Sequence, residues 1–252
     1  MPLTPEALRA WLCSDEAVDE RGAVWSWHNP EHPGYRYPEA AGLLLGALAD
    51  EPGTLPLRAR VADALARDVD ARGLVGRGGA GYAFDTCVCI AGLLAHERAG
   101  GVLADPGLPD RMGRAACALL DRGAAHEGPV DAPAGHWSVS YGSHLLKCAV
   151  ALTALDERRG DARCAPTVRS LVEALAGLGR GGRFPVHGAS EVSYLHAALY
   201  ALEGLLCLRA RAWPGLDDTL EAGAAWVASA QDEGGALRAW HDGARAWGPR
   251  RS

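Results

Sequence analysis

Apolar residues recur at helical spacing in at least eight stretches of the chain. They lie near 4–13, 38–50, 56–71, 83–98, 108–122, 140–156, 163–177, 192–209 and 216–230, the first being the weakest. Two kinds of stretch alternate. Segments 38–50, 83–95, 143–155 and 197–208 are apolar on nearly every face, the pattern of helices enclosed by others. Segments 56–71, 163–177 and 216–230 carry Arg, Asp and Glu along one face, as helices with one side in water do. The alternation predicts an all-α fold in which an inner ring of helices is wrapped by an outer ring. That is an α/α toroid of four to five helical hairpins, built as a single domain over residues 1–252. Short extended stretches at 23–28, 183–187 and 236–241 follow loop glycines and precede inner helices or the chain end.

An internal echo supports stacked hairpins. The segments Arg36–Tyr37–Pro38–Glu39, Tyr82–Ala83–Phe84–Asp85, Tyr141–Gly142–Ser143–His144 and Tyr194–Leu195–His196–Ala197 each open an apolar run. Each is followed, seven positions after its last residue, by a small one: Gly46, Gly92, Ala151 and Gly204. A glycine also stands 13 residues before the tyrosine in Gly128…Tyr141 and Gly181…Tyr194, and the same offset from Gly234 reaches Trp247. In that register a fifth inner helix would begin near Ser252. Either the chain stops before its last inner helix or the toroid is open. An open end would expose apolar helix faces, so a second copy of the chain or another partner is expected to cover it.

Composition narrows the classes. Alanine, leucine and glycine dominate and there are only 2 Phe, which suits close-packed helices better than a β-rich sandwich. The net charge of −6 comes from interspersed acids and bases, with no basic stripe for nucleic acid. No apolar stretch reaches the ~20 residues that span a bilayer. The start, Met1–Pro2–Leu3–Thr4–Pro5–Glu6, lacks a charged region followed by an apolar one, so no secretory signal is expected and the location is expected to be cytoplasmic. Among 7 cysteines, Cys87, Cys89, Cys148 and Cys207 lie inside apolar runs and read as reduced, buried small residues.

The stretch Trp226–Val227–Ala228–Ser229–Ala230–Gln231–Asp232–Glu233–Gly234–Gly235 resembles the helix-end, Gln, Gly, aromatic pattern of prenyltransferase and squalene-cyclase repeats. Tyr37–Pro38–Glu39–Ala40–Ala41–Gly42, Phe84–Asp85–Thr86 and the run from Ser193 to Leu206 look like segments of repeat proteins of that superfamily, some tied to polysaccharide or natural-product pathways. The resemblance implies the α/α toroid and leaves the reaction open. Squalene-type cyclases use an Asp-x-Asp-Asp-Thr-like motif, of which only Asp85–Thr86 is present, with Tyr82 and Phe84 at the earlier acid positions. Lanthionine-synthetase toroids hold zinc with neighbouring Cys and His, a pairing missing here. Class II terpene cyclisation and zinc-thiolate chemistry are both disfavoured.

The candidate chemistry gathers at the starts of the inner helices. Glu39 and Asp85 fall in first turns, where a carboxylate opposes the positive end of the helix dipole; two of them facing one cavity could also act as general acid and base. His144 takes the carboxylate's place in the third segment, and His196 lies one residue before it in the fourth, as proton carriers, orienters or structural groups. Tyr82, Tyr141 and Tyr194 recur as wedges or as hydroxyl donors. Trp25, Trp27, Tyr35, Tyr37, Trp137, Trp240 and Trp247 sit in or beside the same loops with His241, Arg77 and Arg183. There they could cap the repeat or bind a substrate through stacking and guanidinium forks. His28, His187 and His241 follow loop glycines, but no short ligand pair anchors them, so no metal and no cofactor is expected. The Gly-rich run Gly76–Gly81 follows no strand pattern and is not read as a nucleotide loop, and Ser138–His144 lacks the elbow of a serine hydrolase.

The expected function is an enzyme using acid–base chemistry on a small polar molecule, of carbohydrate or uronate type, as a lyase, epimerase or hydrolase. The alternatives are a cyclase or isomerase of a natural-product pathway and a non-catalytic binding or docking module.

Overall fold

The computed structural model describes residues 4–26, 34–130, 136–179, 181–243 and 245–251. The chain divides into two compact units, Met1–Ala116 and Cys117–Ser252. Both are mostly helical, and both carry short strands, so all-α holds only as a coarse description. The helices follow the apolar periodicity closely.

The first unit begins with α1 (Pro5–Leu12), capped by the Thr4 hydroxyl, which accepts from the Ala7 N–H at 3.2 Å. No residue of α1 is buried. Helices α2 (Pro38–Ala47) and α4 (Ala83–Arg98) are the enclosed pair, and α3 (Leu55–Asp68) packs on both with Val61, Ala62 and Leu65. Two glycines let α2 and α4 meet main chain to main chain. A Cβ on Gly92 would clash with the carbonyl of Gly42 and lie 2.8 Å from its Cα; one on Gly42 would lie 2.8 Å from the Cα of Cys89. Gly46, which stands seven positions after Glu39 as Gly92 does after Asp85, has open space around it.

Immediately before α4, the Gly-rich run forms an antiparallel hairpin, β1 (Val75–Arg77) and β2 (Ala80–Tyr82). Gly78 and Gly79 both take positive φ, 62° and 87°, as a two-residue hairpin turn requires. Thr86 of α4 fastens the hairpin: its hydroxyl accepts from Val75 N–H at 3.1 Å and donates to Tyr82 O at 2.7 Å. The run is therefore β-structured, contrary to expectation, although as a hairpin it still offers no strand–loop–helix phosphate cradle. Helix α5 (Leu108–Leu120) contains the boundary between the units.

The second unit holds the two-residue strand β3 (His126–Glu127), α6 (Cys148–Arg159), α7 (Ala165–Leu175), α8 (Leu195–Ala210) and α9 (Asp217–Ser229). The expected helix at 140–156 begins instead as a 3-10 turn over Ser143–Lys147. At its entry, a Cβ on Gly142 would clash with the Val186 carbonyl, and the Ser143 hydroxyl donates to Pro185 O at 2.8 Å. The enclosed pair here is Ser143–Arg159 with α8, again crossing at a glycine: a Cβ on Gly204 would lie 2.8 Å from Lys147 N. Strands β4 (Ser193–Tyr194), β5 (Leu237–His241) and β6 (Ala246–Arg251) form an antiparallel sheet in that order. Of the extended stretches expected from sequence, 236–241 becomes β5. Val24 and Trp25 make only isolated bridges, and residues 27 and 28 lie outside the described residues.

One turn recurs three times. Asp19 Oδ1 accepts from Arg21 and Ala23 N–H, Asp70 Oδ1 from Arg72 and Leu74, and Asp232 Oδ1 from Gly234 and Ala236, all at 2.9 to 3.0 Å. The glycine three residues after each aspartate, Gly22, Gly73 or Gly235, has positive φ. Gly22 and Gly73 press on the carbonyls of Arg60 in α3 and Arg111 in α5. Gly182 makes the same approach to Ala222 in α9. Gly22, Gly73 and Gly182 thus seat loops on α3, α5 and α9, whereas Gly235, in the third aspartate turn, has open space around it.

Candidate functional site

Tyr37, Tyr82 and Tyr194 are the N-cap residues of α2, α4 and α8. All three have extended backbone, and none caps through its side chain. A tyrosine cap leaves the first-turn N–H groups without the acceptor that Ser or Asp would bring, and the open positive end suits a carboxylate nearby. Counted from these caps, Glu39 and His144 stand at the second helical position and Asp85 and Ala197 at the third. Tyr82 is thus the counterpart of Tyr37. Tyr141 lies one residue before the cap Gly142. The four-segment echo becomes, in space, one arrangement of two crossed helices made once in each unit.

In the first unit, that arrangement holds a carboxyl pair. Glu39 and Asp85 are 7% and 8% exposed. The Tyr37 side chain hydrogen-bonds Glu39, and Tyr35 leans on Tyr37 with ring centroids 5.4 Å apart. The Arg77 guanidinium lies over the Tyr35 ring, 4.7 Å from its centroid. Arg77 reaches this place from the exposed end of β1, while Tyr35 and Tyr37 come from the segment that pairs back on Val24 and Ser26. Burial pushes Asp85 well above the usual carboxylate range; the Glu39 charge adds to the push and Arg77 partly opposes it. Burial, with the Asp85 and Glu39 charges behind it, likewise raises Tyr37, so its hydroxyl keeps its proton. Burial raises Tyr35 and Tyr82 as well. A carboxylic acid that resists ionisation beside a second carboxyl and a ring of hydroxyl donors can give and take protons at one place.

The second unit gathers aromatic rings. Trp137 meets His144 edge to face at 5.4 Å and lies 5.3 Å from Tyr194 and 6.1 Å from His196. Tyr194 stacks at 4.4 Å on Trp240, its partner in the β4–β5 register. Exposed His196 stands 4.4 Å from Tyr200, one helical turn on. The Lys147 ammonium is 4.1 Å from the Tyr200 ring centroid and 2.9 Å from Glu203 Oε2. His144 is fully enclosed, and burial depresses it to about 3, so it is neutral near pH 7.

Several expected site residues sit apart from both groups. His241, next to Trp240 on β5, is buried against Trp226 at 5.3 Å with its Nε2 3.0 Å from Arg238 O. Arg183 lies beside Gly243. Trp25 is exposed and bridges Arg36, and Tyr141 is half-buried and raised by that burial. Trp27 and His28 lie outside the described residues. Tyr200, Lys147 and Glu203 were not anticipated. Only the four-residue spacing from His196 to Tyr200 signals any of them in sequence.

Among the described residues, no three His, Cys, Asp or Glu groups come together to hold a metal. No described helix is long and apolar enough to cross a membrane. An open groove of about 740 Å³ beside α1 and α3 contains none of the candidate residues. No protein-family model matches the chain, and no curated protein matches it in sequence.

Proposed function

We propose that the chain is an enzyme that works by general acid–base chemistry on a small polar substrate of carbohydrate or uronate type, as a lyase, epimerase or hydrolase. The observation that carries this is the enclosed carboxyl pair Glu39 and Asp85, in which burial and the neighbouring charge hold Asp85 toward its protonated form. Asp85 would be the proton donor and Glu39, held by Tyr37, the acceptor. Arg77, exposed beside Tyr35, would meet a substrate carboxylate. The crossed pairs, each made of two successive inner helices, fit an α/α toroid similar to the prenyltransferase and squalene-cyclase repeats, in a cytoplasmic protein.

The rings of Trp137, Tyr194 and Trp240 favour a second reading, a cyclase or isomerase whose apolar intermediate they would shape.

The test is turnover of a panel of oligouronates and neutral oligosaccharides by the wild type, Asp85→Asn and Glu39→Gln. Each variant should keep the wild-type circular dichroism and lose about 100-fold or more in kcat. Variants that turn over as fast as the wild type, or a wild type inert toward the whole panel, would sink the acid–base assignment.

A further inference from the structure

Among the described cysteines, Cys117 and Cys164 have side chains hydrogen-bonded to each other, and neither is in a disulfide. Both belong to the second unit. Cys117 lies in the last turns of α5 and is half-buried; Cys164 is the N-cap of α7 and is 2% exposed. Their surroundings suit thiolate chemistry. Thr167 also hydrogen-bonds Cys117. Arg159 Nη1 stands 3.6 Å from Cys164 Sγ. Asp156 pins Cys164 by accepting its N–H at 2.9 and 3.0 Å, and Asp121 is the other acid near the pair.

We propose that Cys117 and Cys164 are a redox couple that closes to a disulfide when the chain meets a small oxidised thiol such as glutathione disulfide. The two thiols differ as the two steps require. The hydrogen bond from Cys164 draws Cys117 below the ordinary thiol range, and it raises Cys164 along with burial. Cys117, the one that solvent reaches, attacks as thiolate on one sulfur of glutathione disulfide and expels a glutathione thiolate. Cys164 then gives up its proton to that leaving group's pool and attacks Cys117 Sγ, expelling the second glutathione. Two S–H bonds become one S–S bond in the protein, and glutathione disulfide is reduced to two thiols. The bond would tie the end of α5 within this unit to the start of α7. This inference is independent of the acid–base function.

The full-length chain is incubated with glutathione disulfide, its remaining thiols are blocked with N-ethylmaleimide, and its peptides are mapped by mass spectrometry. The expected result is loss of two of its 7 thiols as one Cys117–Cys164 link, reversed by dithiothreitol. In Cys164→Ser, glutathione should remain on Cys117. A wild type that keeps both thiols free, that stalls with glutathione on Cys117, or that pairs either cysteine elsewhere overturns the proposal. The wild-type map decides this even if the variant does not fold.

Discussion

Gly92 of α4 rests on the main chain of Gly42 of α2 so closely that a Cβ on Gly92 would lie 2.8 Å from the Gly42 Cα. This contact sets how the starts of the two helices, with Asp85 and Glu39, face each other. In a free helix, Gly→Ala stabilises by about 1 kcal/mol. Gly92→Ala should instead destabilise by about 1–3 kcal/mol through overpacking. Gly46→Ala, with open space around it, should stabilise by up to about 1 kcal/mol. Urea denaturation of both variants checks the opposite signs.

Asp85 makes stability depend on pH. A folded-state value above the unfolded one means that protonation favours the fold. Its contribution is complete below about pH 4, where the unfolded aspartate also holds its proton, and is lost as pH rises toward the raised value. Asp85→Asn should therefore gain on the wild type as pH increases from about 4. Urea midpoints of the two proteins across pH should diverge in that direction; parallel curves would mean Asp85 ionises normally.

His144 works in the opposite sense. Its folded value of about 3 lies below the ~6.5 of an unfolded histidine, so the unfolded chain takes up the proton first. Its stability contribution is present above about pH 6.5 and falls by up to about 1.4 kcal/mol per pH unit on acidification toward 3. His144→Leu should flatten that limb of the stability profile. In the wild type, the His144 imidazole resonances should not titrate between pH 8 and 5.

The three aspartate turns predict a shared cost. Asp70 accepts from two backbone N–H groups and from Arg72 Nε at 2.7 Å. Asp70→Ala should lose about 1–2 kcal/mol, and Asp70→Asn, which keeps an acceptor, should lose less. Thermal unfolding of the pair tests whether the turn or the charge matters.

Much of the helical framework was legible because burial leaves either an apolar stripe, as on α3 and α7, or a long apolar run, as on α4, and these helices lie within a few residues of their apolar stretches. The helix starts were harder. Aligning segments on their titratable residues set Tyr82 against Arg36, whereas the backbone caps set it against Tyr37. A cap is a change of φ and ψ that no side chain announces when tyrosine occupies it. The β1–β2 hairpin was hidden because its glycines removed the alternating pattern, although Gly78–Gly79 between Val75 and Tyr82 is a hairpin signal in itself. The carboxyl pair was visible as two first-turn acids. The placing of Tyr35 and Arg77 beside it was not, since those come from separate segments, one folded back on Val24 and Ser26 and the other in the β1–β2 hairpin. Lys147 against Tyr200 and Glu203 likewise exists only once α8 crosses the preceding turn.

Where helices touch through glycine, no side chain serves as an adjustable spacer. In the first unit, the distance between the two acid-bearing backbones is then a property of main-chain atoms, indifferent to which apolar residues fill the remaining interior. The surrounding tyrosines and Arg77 belong to caps and to a hairpin, which can change length or identity without disturbing that crossing. On the proposed function, a change of substrate would therefore be a matter of editing these caps and the hairpin, with the Glu39–Asp85 pair left as an unaltered fixture.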